Sequence, residues 1–317
     1  MRKARYSLSA IIVCLSFAIG HAQTPDAAKK YWRQGQTNLN QGNFDAAVED
    51  FSRSIEISSH LVPAKRSAGE RWPSANSFES GNPADNVTVI DPFTAIAYTS
   101  RGIARFRQHD FDGALADFNA AIRIAPRLAE AFLGRGVIHR VQLDLDAAAA
   151  DYDRAIALND HLPDAFTDRG SLRMDRGDLN GAASDLERAL ALNANGAEVH
   201  YQLGYLHLLQ GKLDLALRSF DRALQINPQM ASAYHGRATV HTKLAELDSA
   251  LKDFNRALEL NPEMVFSHMN RGLVLLLKGR DEEAEKDFAR CRELNPALAA
   301  ELADRISAAK QLRSGKH

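Results

Sequence analysis

The side chains that hold metals and move protons are abundant in this chain, but they are poorly grouped for either task. It has 11 histidines and 40 aspartates and glutamates, yet no His-Glu-x-x-His pair brings two imidazoles and a carboxylate onto one helical face. The two cysteines are Cys14 and Cys291. Cys291 would stand alone if the N-terminal segment were removed, which leaves neither a thiolate zinc cluster nor an internal disulfide. No phosphate loop, dinucleotide glycine fingerprint or Gly-x-Ser-x-Gly elbow is present. No catalytic residue, metal ligand or cofactor-binding residue is assigned, and the expectation is a protein that is not an enzyme and carries no cofactor.

Many of the carboxylates recur at one interval, which marks them as parts of a scaffold. A shift of 34 residues, with no gaps, puts Gly102, Gly136, Gly170, Gly204, Ala238 and Gly272 in one column. Twelve residues on stand Ala114, Ala148, Ala182, Ala216, Ala250 and Ala284, and four beyond those Phe118, Tyr152, Leu186, Phe220, Phe254 and Phe288. A third small column runs from Ala121 to Cys291, and Pro126, Pro228, Pro262 and Pro296 punctuate the ends. Six units tile residues 95–298, and an earlier one fits residues 28–61 through Tyr31, Gly35, Ala47 and Phe51.

This pattern resembles the tetratricopeptide repeat family: a large residue at position 4 of each unit, Gly or Ala at 8, Ala at 20, an aromatic at 24, Ala at 27 and Pro at 32. Ser59, Asp160 and Ala194 depart from it at position 32. The resemblance implies an all-α, right-handed superhelical solenoid of about seven repeats, with residues 299–313 as a C-terminal capping helix.

The columns have a physical reading of their own. Each unit reads as two antiparallel helices, around Ala131 to Gln142 and Asp146 to Leu158 in the third. Small residues such as Gly136 and Ala148 let the backbones approach, and Tyr152 fills the gap toward the neighbour. Asp112, Asp146, Asp214 and Asp248 suit the positive end of the second helix, and Asn-Pro pairs such as Asn227-Pro228 predict a left-handed cap followed by a stop. No repeat buries its own face, so neighbours must stack. Arg101, Arg135, Arg169, Arg237 and Arg271 at position 7 accompany Asp117, Asp151, Asp185, Asp253 and Asp287 at position 23, and the fifth unit has lost both, with Leu203 and Ser219. Either Arg forks onto Asp between the two helices, or Asp pairs along its own helix with Arg154, Arg188, Arg256 or Arg290.

Two segments fall outside the pattern. Residues 1–22 read as a cleaved signal peptide: Arg2, Lys3 and Arg5, then an apolar stretch too short to span a bilayer, then Gly20-His21-Ala22. The expected location is periplasmic or secreted, with no membrane association beyond the export signal. Removing those three cations takes the net charge from −1 to about −4, which leaves no electrostatic footprint for nucleic acid. Residues 62–94, with Pro63, Pro73, Pro83 and Pro92 among Ser, Gly and Asn, read as an insertion: a surface loop, a flap docking through Trp72, or a decayed repeat.

What is left for function is surface. In the family that this chain resembles, positions 2, 5, 9 and 12 of the first helices line a concave groove that binds protein or peptide partners. Carried onto this chain, the groove shows Glu130, Asp164, Asp168, Asp175 and Glu198, followed by Tyr201, Tyr205, Phe266 and Met269. That order suits a peptide with a basic part and an apolar anchor. Thr99, Leu133 and Thr167 stand where some members carry a carboxylate clamp. His139, His207 and His241, at position 11 where the family has an aromatic, are expected to pack. The leading expectation is a non-catalytic exported scaffold, and the alternative is a structural repeat protein that self-assembles into homo-oligomers.

Overall fold

The computed structural model describes residues 26–59 and 92–315. The expected signal peptide, and the expected insertion apart from its last three residues, lie outside them. Fifteen α-helices and no strand occur among the described residues, and no described helix is long and apolar enough to cross a membrane.

The helices come as hairpins. They are α1 Asp26–Asn40 with α2 Phe44–Ser59, α3 Pro92–Arg107 with α4 Phe111–Ile124, α5 Ala129–Val141 with α6 Leu145–Leu158, and α7 Pro163–Asp175 with α8 Leu179–Leu192. Next come α9 Ala197–Leu209 with α10 Leu213–Ile226, α11 Ala231–Lys243 with α12 Leu247–Leu260, and α13 Val265–Leu277 with α14 Asp281–Leu294. A 3-10 turn, Pro296–Leu298, leads into α15, Ala299–Arg313. The first helix of each hairpin is called A here, and the second B. Two compact units divide the chain, one ending at Asp168 and the other beginning at Arg169.

In the first unit the small columns act as expected. A Cβ added at Gly136 would lie 2.8 Å from the Tyr152 ring of its own hairpin, and one at Gly134 would lie 2.4 Å from the Phe118 ring of the preceding hairpin. Helix α5 therefore touches B helices on two sides, and Phe118 and Tyr152 are completely buried there. The first hairpin docks on the second although 32 undescribed residues separate them in sequence. Thr94 Oγ1 donates to Ser58 Oγ at 2.9 Å, and Trp32 Nε1 and Gln36 Nε2 both donate to Ser100 Oγ, at 3.0 and 3.1 Å. Helix α3 starts at Pro92, so residues 92–94 belong to it and not to the insertion. Proline suits a first helical turn, whose N–H groups have no intrahelical partner.

The second unit repeats the scheme around Leu186, Phe220, Phe254 and Phe288. Helix α15 closes it by burying Leu302 and Ala309 in the cluster that holds Met269, Leu276 and Phe288. Arg313 Nη1 donates to the Leu276 carbonyl near the end of α13 at 2.9 Å.

The turn chemistry differs from expectation. The Asn residues that end the B helices are extended, with φ of −130° at Asn227 and −149° at Asn295, not left-handed. Their side chains form Asx turns: the Gln229 and Ala297 amides donate to the Asn227 and Asn295 Oδ1 atoms, at 3.0 and 3.2 Å. The left-handed residue sits instead in the A–B turn, at position 15: Gly42, Gly177, Gly211 and Gly279, but also His109, Leu143 and Ala245. In the first three complete A–B turns after the insertion, Asp110, Asp144 and Asp178 cap the B helix by accepting from the amides of Gly113, Ala147 and Gly181. Asp112, Asp146, Asp214 and Asp248 occupy the first turn itself.

Candidate functional site

The paired columns resolve into forks between the two helices of a hairpin. Arg101, Arg135, Arg169, Arg237 and Arg271 each place Nε and Nη2 on the two oxygens of Asp117, Asp151, Asp185, Asp253 and Asp287, at 2.6 to 3.0 Å. Planar guanidinium matches carboxylate two bonds at a time, which explains why Arg and not Lys stands in the column. Three of the four arginines of the local alternative make other contacts. The Arg154 guanidinium lies over the Phe132 ring, while Arg256 and Arg290 pair with Glu259 and Glu293.

Two further columns feed the same network. The third Arg nitrogen reaches back to position 25 of the preceding hairpin: Arg101 to Ser52, Arg135 to Asn119, Arg237 to Asp221 and Arg271 to Asn255. Position 11 supplies the Asp with a second partner. Arg105 and Arg173 bond Asp117 and Asp185 at 2.9 Å, and Asn38 donates to Asp50 at 2.8 Å. His139 and His241 bring Nε2 to 3.8 Å from Asp151 and Asp253. These histidines thus belong to a polar network and do not simply stand in for an aromatic. In the last hairpin His268 takes the role from position 4, with Nδ1 2.8 Å from Asp287 Oδ1 and Nε2 3.0 Å from the Pro262 carbonyl. Burial pushes the Asp287 carboxyl up, but hydrogen bonds from Arg271 and His268 outweigh it and hold the group below the usual carboxylate range. In the fifth repeat the network shrinks to His207 Nδ1 and Ser219 Oγ at 3.2 Å. This chemistry ties helices together. No group of three or more His, Cys, Asp or Glu among the described residues is placed to hold a metal ion.

The expected groove residues divide between the two units. In the first, Glu130 is only 9% exposed, Asp168 is buried, and Asp164 is half-buried. Burial raises the Glu130 pKa, opposed by a hydrogen bond from its own backbone amide. In the second, Asp175 is exposed at the end of α7, and half-buried Glu198 accepts from Gln202 Nε2 at 2.8 Å. Tyr201 and Tyr205, one turn apart on α9, have ring centroids 6.5 Å apart. Tyr201 also leans on core Phe220 at 6.1 Å. Phe266, at position 2 of α13, is 37% exposed. Met269 is a correction: it is completely buried in the cluster closed by α15 and offers no surface.

Family models for tetratricopeptide repeats match residues 28–60, 99–163, 167–231, 231–264 and 267–298, more than half of the chain. The chain belongs to the tetratricopeptide repeat family. Its consecutive helical hairpins are those of the family's all-helical solenoid. No curated protein matches. Among solved structures, a tetratricopeptide repeat protein from Parabacteroides merdae is 17% identical, over 89% of this chain and all of that one, with a TM-score of 0.59. The Cut9–Hcn1 hetero-tetramer of the APC/C is 17% identical over 94% of this chain, which spans 59% of that one, with a TM-score of 0.62. PilF from Pseudomonas aeruginosa is 18% identical, over 66% of this chain and 96% of that one, with a TM-score of 0.55. At these identities the likeness is one of tetratricopeptide fold.

Proposed function

We propose that this tetratricopeptide repeat protein is an exported, non-catalytic scaffold that binds protein or peptide partners on the A-helix face of its repeats. The observation that carries the reading is the aromatic face of the second unit. Tyr205 and Tyr201 lie half-buried on α9, and Phe266 is exposed on α13, while Phe220, Phe254 and Phe288 are buried in the unit's core and half-buried Tyr234 packs on that core under Arg237. Tyrosine and phenylalanine on preformed helices lose little freedom when covered, so a few anchors suffice for affinity. Export rests on the N-terminal pattern of Arg2, Lys3 and Arg5 before an apolar stretch and Gly20-His21-Ala22, and it puts the partners outside the cytoplasm.

The test uses Tyr205→Ala combined with Phe266→Ala, leaving Tyr201 in place because it supports Phe220. The double variant is expected to retain at least tenfold less partner protein from an envelope extract, with the helical circular-dichroism signal unchanged, a loss of about 1.4 kcal/mol or more. Equal capture by both proteins would remove the A-helix face from the account.

A further inference from the structure

Glu130 is a carboxylate in a place where a carboxylate is expensive. It opens α5, is 9% exposed, and forms no ion pair or hydrogen bond with any described side chain. Its direction follows from the packing of α5. Gly134 meets Phe118 on one side and Gly136 meets Tyr152 on the other, and Arg135 points between the two B helices to reach Asp151 and Asn119. At about 3.6 residues per turn, Glu130, Leu133 and Val137 fall on the opposite, A-helix face. Leu133 and Val137 are completely buried there, so the neighbours of Glu130 along this stripe of its own helix are apolar and give its charge no counter-ion.

The cations of its own helix are otherwise placed. Arg135 is committed to its fork, and Arg140 shares the stripe but lies ten residues along, about 15 Å away by helical rise. Asp164, at the same register of α7, adds a field of the same sign. From this arrangement, and resting on the binding face argued above, we propose that Glu130 receives a lysine ammonium or arginine guanidinium from the bound protein partner. The incoming cation neutralises a charge that no described side chain compensates. Burial raises the Glu130 pKa, which agrees with a group strained by desolvation in the free protein.

A scaffold role and a reading role for Glu130 predict opposite signs for stability. Glu130→Gln keeps the shape and removes the charge. In calorimetric titration of the purified chain with an octalysine peptide, it is expected to weaken binding at least tenfold while raising the melting temperature. Glu263→Gln, an exposed acid in the second unit, is expected to leave affinity within twofold, and an octaserine peptide is expected not to bind. Undiminished octalysine binding by Glu130→Gln overturns the proposal, and so does a fall in its melting temperature. Octalysine carries no apolar anchor, so this result is independent of Tyr205 and Phe266: partner capture lost in the aromatic variant with no Glu130 effect keeps the binding face and sinks the cation site.

Discussion

At Arg135 one guanidinium closes a fork on Asp151 within its own hairpin and gives its remaining nitrogen to Asn119 on the hairpin before. Asp151 is nearly buried, so removing one partner strands the other away from water. Asp151→Ala is expected to cost about 3 kcal/mol, and the double change with Arg135→Ala to cost well under the sum of the singles. Chemical denaturation of the four proteins measures it, and additive losses would show that the fork contributes nothing. Leu143 gives the reverse prediction. It holds φ of 65° and is 71% exposed, so Leu143→Gly removes a backbone cost without losing packing and is expected to gain about 1 kcal/mol. For Asp287, whose carboxyl is held low in the fold, the linked stability is complete above the unfolded-state value and drains away as pH falls through the lower folded one. Acid melting of the wild type against Asp287→Asn is expected to converge at low pH.

Between elements, the weak place is the α9–α10 hairpin together with its junction to α8. Leu203 and Ser219 replace the fork, Ala194 replaces the proline, and Lys212 gives α10 no side-chain cap. Amides of α9 are therefore expected to exchange with solvent sooner than those of α11. Leu203→Arg with Ser219→Asp, with Glu187 as the acceptor at position 25, is expected to slow them about tenfold or more, as about 1.4 kcal/mol of added closure would. Exchange unchanged by the installed pair would mean that the fork does not set local stability. The pairing itself was legible in sequence because both members vanish together in one repeat. Its extensions were not, because the residues at position 25 (Ser52, Asn119, Asp221, Asn255) share only an acceptor oxygen, and those at position 11 mix Arg, His and Asn. The Asn caps were misread for a related reason: Asn tolerates a left-handed backbone and also makes Asx turns, and only the φ angle separates the two.

For the molecule as a whole, a 34-residue period carried nearly the whole fold, since spacing alone dictates which faces must meet. The proposed binding face was legible only in part. Register names the residues on an A-helix face, but it is blind to what else covers that face, and so Met269, under the cluster that α15 closes, looked like surface. Burial also sets Glu130 and Asp168 apart from exposed Asp175, a distinction that no spacing encodes. The central claim is that partners meet the A helices and not the B helices. Site-specific photo-crosslinking tests it, with the reactive residue placed at Tyr205 or Phe266 and, as controls, at exposed Glu187 or Lys252 on the B helices. The account predicts adducts with other proteins from positions 205 and 266 and none from 187 and 252; adducts confined to the B-helix positions would contradict it.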